Sequence, residues 1–331
     1  MTTDTLLQPD RLLRRLEWTV LRRLDGVLQG DWRTFLRGAG VDLADLREYQ
    51  PLDDVRHIDW NVTARLQVPH VRLFLEDRDL VCWLLLDLSA SVGFGSTGRS
   101  KLEVSAGLVG TLARVLTRHG NRVGALLYGQ QVDAVVPPGA SRTHVLTLLQ
   151  RMLRPPAAAP HAGAATVLAD LLRTAEGVIR RRSLVVLVSD LISPPGWEEP
   201  LARLARRHDV VAVRLSDPAE AALPDAGWLT LEDAETGEQL LVDAADPGFR
   251  ERYAAIAAAR EEALLQALAA SGADVLETST DDDLLETMLR FADLRRQRAR
   301  LKPVARFPAA LQRGRPASAD DGSGTARETT R

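Results

Sequence analysis

The 331-residue sequence has a single cysteine and no long run of apolar residues. Cys82 cannot form a disulfide bond within the chain, which fits a reducing compartment. Its place in an apolar segment predicts a buried, unreactive thiol. No segment approaches the roughly 20 consecutive apolar residues of a membrane-spanning helix, and the N-terminus lacks the basic and then apolar pattern of a secretion signal. These absences predict a cytoplasmic protein without a membrane span.

An excess of charge of one sign is also missing, because 42 Lys and Arg residues nearly balance 45 Asp and Glu residues. This balance gives no reason to expect binding to nucleic acid. The sequence contains neither the phosphate-binding motif G-x-x-x-x-G-K-[S/T] nor the nucleophile motif G-x-S-x-G. Nucleotide hydrolysis by a P-loop and this type of serine hydrolysis are therefore not expected.

One apolar run ends directly in a cluster of oxygen donors. Residues 83–86 are apolar, which is typical of a strand that is buried on both faces of its sheet. Asp87, Ser89 and Ser91 follow in the pattern D-x-S-x-S, and ligands of α/β folds collect just beyond the carboxyl ends of strands. One carboxylate and two hydroxyls are hard oxygen ligands that suit Mg²⁺, or Mn²⁺ in its place. The sequence therefore predicts a metal site.

Apolar runs alternate with helical patterns through residues 80–298. Further buried strands are predicted at 122–128, 183–189 and 209–215, with helices between them. Residues 131–136 follow so closely that they should form an antiparallel edge strand, and residues 228–243 read as a β-hairpin insertion. The predicted fold class is α/β, a doubly wound and mostly parallel sheet with one antiparallel edge strand.

The remaining chain divides into three predicted parts. Residues 1–30 should form an amphipathic N-terminal helix whose apolar stripe packs on the protein. Residues 31–79 are expected to form a charged, β-rich flank of short strands and turns. Residues 299–331 are rich in Pro, Gly, Ser and charge, and are predicted to be a disordered tail. The basic cluster from Arg295 to Arg306 before this tail is interpreted as a solvated helix end.

Two more oxygen donors can join the first three. Asp190 follows the strand predicted at 183–189, and Thr166 precedes a predicted helix. Segments after neighbouring strands meet at one edge of an α/β sheet, so these side chains can come together there. An alternative is that the D-x-S-x-S residues only cap the following helix, as Ser and Asp often do.

This constellation resembles the metal-ion-dependent adhesion site of the von Willebrand factor A fold. The resemblance implies that the serines and the threonine commonly ligate the metal directly and that the aspartates often act through water. A carboxylate of a partner protein then completes the metal shell. The implied metal residues are Asp87, Ser89, Ser91, Thr166 and Asp190.

A second motif resembles the bacterial family catalogued as domain of unknown function 58. It comprises L-R-E-Y at 46–49, D-D-V-R-H-I-D-W at 53–60 and T-A-R at 63–65. The family is often found with MoxR-type AAA+ ATPases, so the resemblance implies such an ATPase as a partner. The residues interpreted as a partner-binding or structural signature are Arg47, Tyr49, Asp54, Arg56, Asp59, Trp60 and Arg65.

Three functions follow from these motifs. The first is a non-enzymatic, metal-dependent adaptor that binds a partner's carboxylate and works with a MoxR-type ATPase in the assembly or remodelling of a target complex. The second is a metal-dependent phosphate-ester hydrolase, since a metal can polarise a phosphoryl group or activate water. Against it, the motif lacks the second carboxylate of Asp-x-Asp phosphotransfer sites, and no histidine has an obvious place as a base. The third is a metal-free structural scaffold.

Overall fold

The computed structural model describes residues 8–21, 43–50, 55, 58–74, 81–154 and 166–301. The chain divides into two compact units, one formed by residues 1–40 and 77–301 and the other by residues 41–76 and 302–331. The tail predicted at 299–331 lies outside the described residues from position 302 onward. None of the helices within the described ranges is long and apolar enough to cross a membrane.

The strands and helices are numbered in chain order. The strands are β1 (Leu43–Glu48), β2 (His70–Phe74), β3 (Val81–Asp87), β4 (Arg122–Tyr128), β5 (Val132–Gly139), β6 (Leu184–Ser189), β7 (Asp209–Ser216), β8 (Trp228–Glu232), β9 (Gln239–Asp243) and β10 (Asp274–Ser279). The helices are α1 (Pro9–Leu16), α2 (Trp60–Leu66), α3 (Lys101–Arg118), α4 (Arg142–Met152), α5 (Leu168–Val178), α6 (Glu198–Arg207), α7 (Pro218–Ala221), α8 (Pro247–Ser271) and α9 (Leu284–Leu301).

A six-stranded sheet with the order β10-β7-β6-β3-β4-β5 forms the centre of the larger unit. Its neighbouring strands are parallel, except that β5 runs antiparallel to β4. Pro137 and Pro138 lie in β5, where an edge strand tolerates residues that cannot donate a ladder hydrogen bond. The predicted doubly wound sheet with one antiparallel edge strand is confirmed.

Each face of the sheet is covered by helices, which explains the unbroken apolar runs in the sequence. Successive residues of a strand point to opposite faces. In β3, Leu84 and Leu86 accordingly join the core beneath α1, α3, α4 and α9, whereas Trp83 and Leu85 join the core beneath α5, α6 and the end of α8. Cys82 is buried as predicted, and this burial raises the pKa of its thiol to about 12.

The N-terminal α-helix belongs to the larger unit, covers Pro9–Leu16 of the predicted residues 1–30, and packs through its apolar stripe. Leu13 and Leu16 of α1 and Leu21 of the following π-helical turn are buried in the same core as α3 and α4. On the polar side, Arg114 Nε of α3 donates to Glu17 Oε1 at 2.6 Å. These contacts attach the helix to one face of the sheet.

The structure contradicts part of the prediction that the basic cluster before the tail is a solvated helix end. Arg295 of α9 is fully buried, and its Nη2 donates to Asp209 Oδ2 at the start of β7 at 2.6 Å. A buried guanidinium next to a buried carboxylate is a structural ion pair, so the prediction of a solvated side chain is wrong at this position. The side chains that follow Arg295 lie outside the described residues.

The smaller unit contains β1 and β2, which pair antiparallel, and the helix α2. The sequence predicted only short strands and turns here, and the helix corrects that prediction. Its N-cap is Asp59, whose Oδ1 accepts hydrogen bonds from Asn61 N at 3.0 Å and Val62 N at 3.2 Å. The dense charge around this segment obscured an ordinary helix start.

Candidate metal centre

The loop after β3 brings three predicted metal residues together. Asp87 is the last residue of the strand, and a 3₁₀ turn from Ala90 to Gly93 places Ser91 beside Ser89. Ser89 N donates to Asp87 Oδ1 at 3.0 Å, and the hydroxyl oxygens of Ser89 and Ser91 lie 3.0 Å apart. All three side chains are buried. The loop therefore holds one carboxylate and two hydroxyls in a fixed arrangement.

These residues do not cap the following helix, so that alternative is wrong. The N-cap of α3 is Ser100, whose Oγ accepts from Glu103 N at 3.2 Å, while Glu103 Oε2 accepts from Ser100 N at 2.9 Å. This reciprocal capping box satisfies the helix N-terminus. The oxygen donors of the D-x-S-x-S loop remain directed toward one another and toward the neighbouring strand.

The end of β6 supplies the second part of the site. Because β6 pairs in parallel with β3, both strands end at the same edge of the sheet. Ser189 Oγ donates to Asp87 Oδ2 at 2.6 Å and accepts from Leu191 N at 2.8 Å. Asp190 Oδ1 accepts from Ile192 N at 3.1 Å. Ser189 was not among the predicted residues, although its place at the end of a buried run next to Asp190 was a signal for it.

Thr166 supplies the third part from the segment before α5. Its side chain is buried, and its carbonyl oxygen accepts from Ser193 Oγ at 2.9 Å. The same Ser193 Oγ accepts from Leu168 N at 2.9 Å, so one hydroxyl ties the loop after β6 to the start of α5. Thr166 is thereby held against the β6 side of the site.

A buried lysine also belongs to the site. Lys101 Nζ, at the first residue of α3, donates to Asp190 Oδ2 at 2.7 Å and to Glu220 Oε1 of α7 at 2.6 Å. Burial lowers the pKa of Lys101, but the two carboxylates raise it more, so the ammonium stays charged. Sequence reasoning missed this residue, because a lysine at a helix start resembles any solvated cation.

Glu235 reaches the site from the turn between β8 and β9. Its Oε1 accepts from Ser91 N at 3.2 Å, and its Oε2 accepts from Thr166 Oγ1 at 2.8 Å. The contact joins two of the three loops that carry predicted metal residues. Nothing in the local sequence distinguishes Glu235 from the other acidic residues of this turn, and it was not predicted.

The charge of the site favours a bound cation. Burial and the nearby negative charge of Asp190 together raise the pKa of Asp87 to about 6, although hydrogen bonds from Ser189 and Ser89 lower it. Asp87 and Glu235 accept hydrogen bonds from uncharged backbone and hydroxyl donors, whereas Lys101 pairs with Asp190 and Glu220 and adds one positive charge. A divalent cation would relieve the repulsion between Asp87 and Asp190.

The donor chemistry also fits Mg²⁺ or Mn²⁺. Every predicted metal side chain is at most 8% exposed and ends in an oxygen donor, as hard divalent cations require. In the described part of the chain, no three His, Cys, Asp or Glu side chains form a metal-binding group. Hydroxyl groups would therefore have to supply part of the shell. The predicted residues that could hold the cation are Asp87, Ser89, Ser91, Thr166 and Asp190.

The signature residues of the smaller unit are placed only in part. Arg47 lies on β1 with its side chain outside the described set, and Asp54 and Arg56 lie outside the described residues altogether. Tyr49 is half-buried, and its backbone N donates to Pro69 O at 2.8 Å.

The other signature residues belong to the start and end of α2. Asp59 is the buried N-cap, and the adjacent Trp60 is 69% exposed. Arg65 is exposed in the last turn, where a cation interacts favourably with the helix dipole. The signature thus includes at least one structural residue, Asp59, and one large aromatic side chain that is open to solvent.

Comparison with known proteins agrees with the resemblance to domain of unknown function 58. Residues 45–263 match the family described as "Protein of unknown function DUF58". Uncharacterized proteins of Mycobacterium tuberculosis and Mycobacterium bovis are each 38% identical over 288 residues, which cover 87% of this chain and 90% of each relative.

Solved structures with similar folds include two proteins of Bacteroides species. An aerotolerance-related membrane protein of Bacteroides fragilis has a TM-score of 0.44 at 14% identity, over 66% of this chain and 99% of that one. The conserved hypothetical protein BatB of Bacteroides thetaiotaomicron has a TM-score of 0.42 at 14% identity, over 67% and 99%. Because the family match spans most of the chain and the mycobacterial relatives match along most of their length, this protein belongs to the DUF58 family.

Proposed function

We propose that this protein is a non-enzymatic adaptor that binds a carboxylate of a partner protein through a divalent cation. The observation that carries the proposal is the convergence of buried oxygen donors from three loops at one edge of the sheet. These loops follow β3, follow β6 and precede α5. A buried cluster of hydroxyls and carboxylates with excess negative charge is chemically suited to holding a cation.

Different residues of this chain would have different roles in holding this cation. The hydroxyls of Ser89, Ser91 and Thr166 would be direct ligands, and Asp87 is oriented by its hydrogen bonds from Ser89 N and Ser189 Oγ. A bound Mg²⁺ or Mn²⁺ would supply positive charge that neutral hydroxyls leave only partly compensated. That remaining charge would attract an acidic side chain of a partner.

The cellular context of the proposal comes from the family resemblance. We infer a MoxR-type AAA+ ATPase as partner, acting with this protein in the assembly or remodelling of a target complex in the cytoplasm. The absence of a P-loop motif from this sequence is consistent with a separate ATPase that supplies nucleotide hydrolysis.

Hydrolysis of phosphate esters has weaker support than binding. Among the described residues, the side chains that hydrogen-bond within the site include no histidine that could act as a base. Lys101, a cationic side chain that contacts the site, already forms ion pairs with Asp190 and Glu220. The adaptor function requires no base and no free cationic side chain.

The proposal is tested by titrating Mg²⁺ and Mn²⁺ into the protein in a calorimeter. Ser89→Ala and Asp87→Ala should weaken binding by about tenfold or more, because each removes or disorders part of the ligand set. Ser105→Ala is the matched control: it removes a buried hydroxyl of α3 that has no hydrogen-bond partner among the described residues, and it should bind like the wild type.

Circular dichroism of each variant checks that the fold is retained. Unchanged binding in both site variants, or no binding by the wild-type protein at millimolar cation, would overturn the proposal. If the cation binds, the same variants can be compared for capture of a purified MoxR-type ATPase with and without chelator. Loss of capture in chelator and in Ser89→Ala is the expected result.

A further inference from the structure

The turn between β8 and β9 carries Glu235 and is ordered by hydrogen bonds within the turn. The last strand pair is Glu232 with Gln239, and residues 233–238 form the turn. Asp233 Oδ1 accepts from Glu235 N and from Thr236 N, each at 2.9 Å, and Asp233 O accepts from Gly237 N at 2.7 Å. Gly237 has a φ of 71°, which suits glycine. The turn is therefore ordered by its own hydrogen bonds, independently of the contact that Glu235 makes.

Glu235 of this turn contacts two of the predicted metal residues. It accepts one hydrogen bond from the backbone of Ser91 and one from the hydroxyl of Thr166. These donors belong to two loops of the candidate metal centre. A carboxylate of this chain is thus hydrogen-bonded to two residues that the proposed function assigns to the cation site, Ser91 and Thr166.

We propose that Glu235 is an internal ligand of the candidate metal centre and competes with the partner's acidic side chain. This inference rests on the proposed function, since it assumes that the site binds carboxylates through a cation. The β8–β9 hairpin then keeps the site closed until an acidic group displaces Glu235. The site would select partners that present a Glu or Asp side chain able to enter between the two loops.

The hairpin can release this contact without disrupting the main sheet. β8 and β9 form a two-stranded sheet of their own, and such a hairpin has little stability in isolation. Its base is fixed by the buried residues Val242 and Ala244 and by the hydrogen bond from Ala244 N to Gly227 O at 2.7 Å. Trp228 and Leu241 on its outer face are 69% and 63% exposed. The anchored base and exposed strands allow the turn to move while the hairpin stays attached.

Tethering determines how strongly Glu235 competes. An attached carboxylate acts at an effective concentration in the millimolar range or above. If the closed state outweighs the open state by about tenfold, the apparent affinity for a free carboxylate falls by about tenfold. Removing the carboxylate of Glu235 should therefore raise the apparent affinity for a free carboxylate by about tenfold.

The test compares Glu235→Gln with Glu238→Gln. Both substitutions remove one negative charge from the same turn, but the side chain of Glu238 is exposed and makes no hydrogen bond to the site. Each protein is loaded with Mn²⁺, and water-proton relaxation measures how many exchanging water molecules remain on the metal. Glu235→Ala is a second variant, because it also removes the amide oxygen that a glutamine would offer to Ser91 N.

A carboxylate probe completes the experiment. In Glu235→Gln and Glu235→Ala the water-proton relaxation enhancement should rise. The rise should correspond to about one additional exchanging water molecule on the Mn²⁺ ion. Glutarate should reverse this rise at a concentration about tenfold lower than the wild type requires. Glu238→Gln should behave like the wild type in both measurements.

The possible failures are distinguishable. If Mn²⁺ binds and all four proteins give the same relaxation and the same response to glutarate, the internal-ligand inference is refuted while the metal site stands. If Mn²⁺ binds to none of them, the proposed function is refuted and the inference falls with it. A rise in Glu238→Gln equal to that in Glu235→Gln would assign the effect to net charge and would also refute the inference.

Discussion

Replacing Lys101 with methionine tests whether a buried ammonium holds the second carboxylate of the candidate site. Its side chain is 1% exposed, and Nζ lies 2.7 Å from Asp190 Oδ2 and 2.6 Å from Glu220 Oε1. Methionine can occupy the space of the aliphatic stem but provides no charge. The substitution therefore leaves Asp190, which is also 1% exposed, as a buried carboxylate without its cation.

The expected loss of unfolding free energy is about 3 kcal/mol, at the lower end of the cost of removing one partner from a buried ion pair. Most of this loss in unfolding free energy comes from the buried carboxylate of Asp190. The side chain of Glu220 is 29% exposed, so water can solvate it when Lys101 is removed. Asp190→Asn should also destabilise the protein, since it leaves Lys101 buried with less compensation. The double variant should lose less than the sum of the single variants, with a coupling of about 1–3 kcal/mol.

The assay is urea unfolding in the presence of chelator, followed by far-ultraviolet circular dichroism. Arg151→Met is the control, because it removes an exposed cation from α4 and should change stability by no more than about 0.5 kcal/mol. A loss below about 1 kcal/mol in Lys101→Met, or strictly additive effects in the double variant, would refute the reasoning that this ion pair supports the site.

Three further predictions concern caps, ion pairs and pH. Asp59→Ala should lower the stability of the smaller unit by about 1 kcal/mol in urea unfolding, whereas Asp59→Asn should lose little because Asn also caps helices. Equal losses would contradict the capping role. Arg295→Met should cost about 3 kcal/mol or more by leaving Asp209 buried with less compensation, and Asp209→Asn in the same protein should recover part of this loss. In chelator, the raised pKa of Asp87 makes the folded state hold its proton more tightly than the unfolded state, so stability should fall as the pH rises from 3.8 through about 6. Asp87→Asn should reduce this fall, and an identical pH profile would contradict the burial argument.

Sequence patterns were sufficient for the sheet and for the D-x-S-x-S loop. A strand that is buried on both faces must be apolar at every position, so the run before Asp87 could be recognised without knowing its neighbours. Parallel strands end at a common edge, and this rule was enough to group Asp190 with Asp87. The helix α2 also has a local sequence signal, its N-cap at Asp59. The many charged residues around this cap suggested a functional surface and obscured the helix.

The sequence by itself therefore determined the strands, the edge of the sheet at which polar residues collect and the family to which the chain belongs. Only the tertiary structure decided which other charges reach that edge. Lys101 is 89 residues from Asp190 in the chain, and Glu235 is 144 residues from Ser91. Their spacing carries no periodic signal, because a hydrogen bond between distant segments depends on how loops fold back and not on the pattern within either segment. The tertiary structure thus placed the ammonium of Lys101 and the carboxylate of Glu235 beside the predicted metal residues.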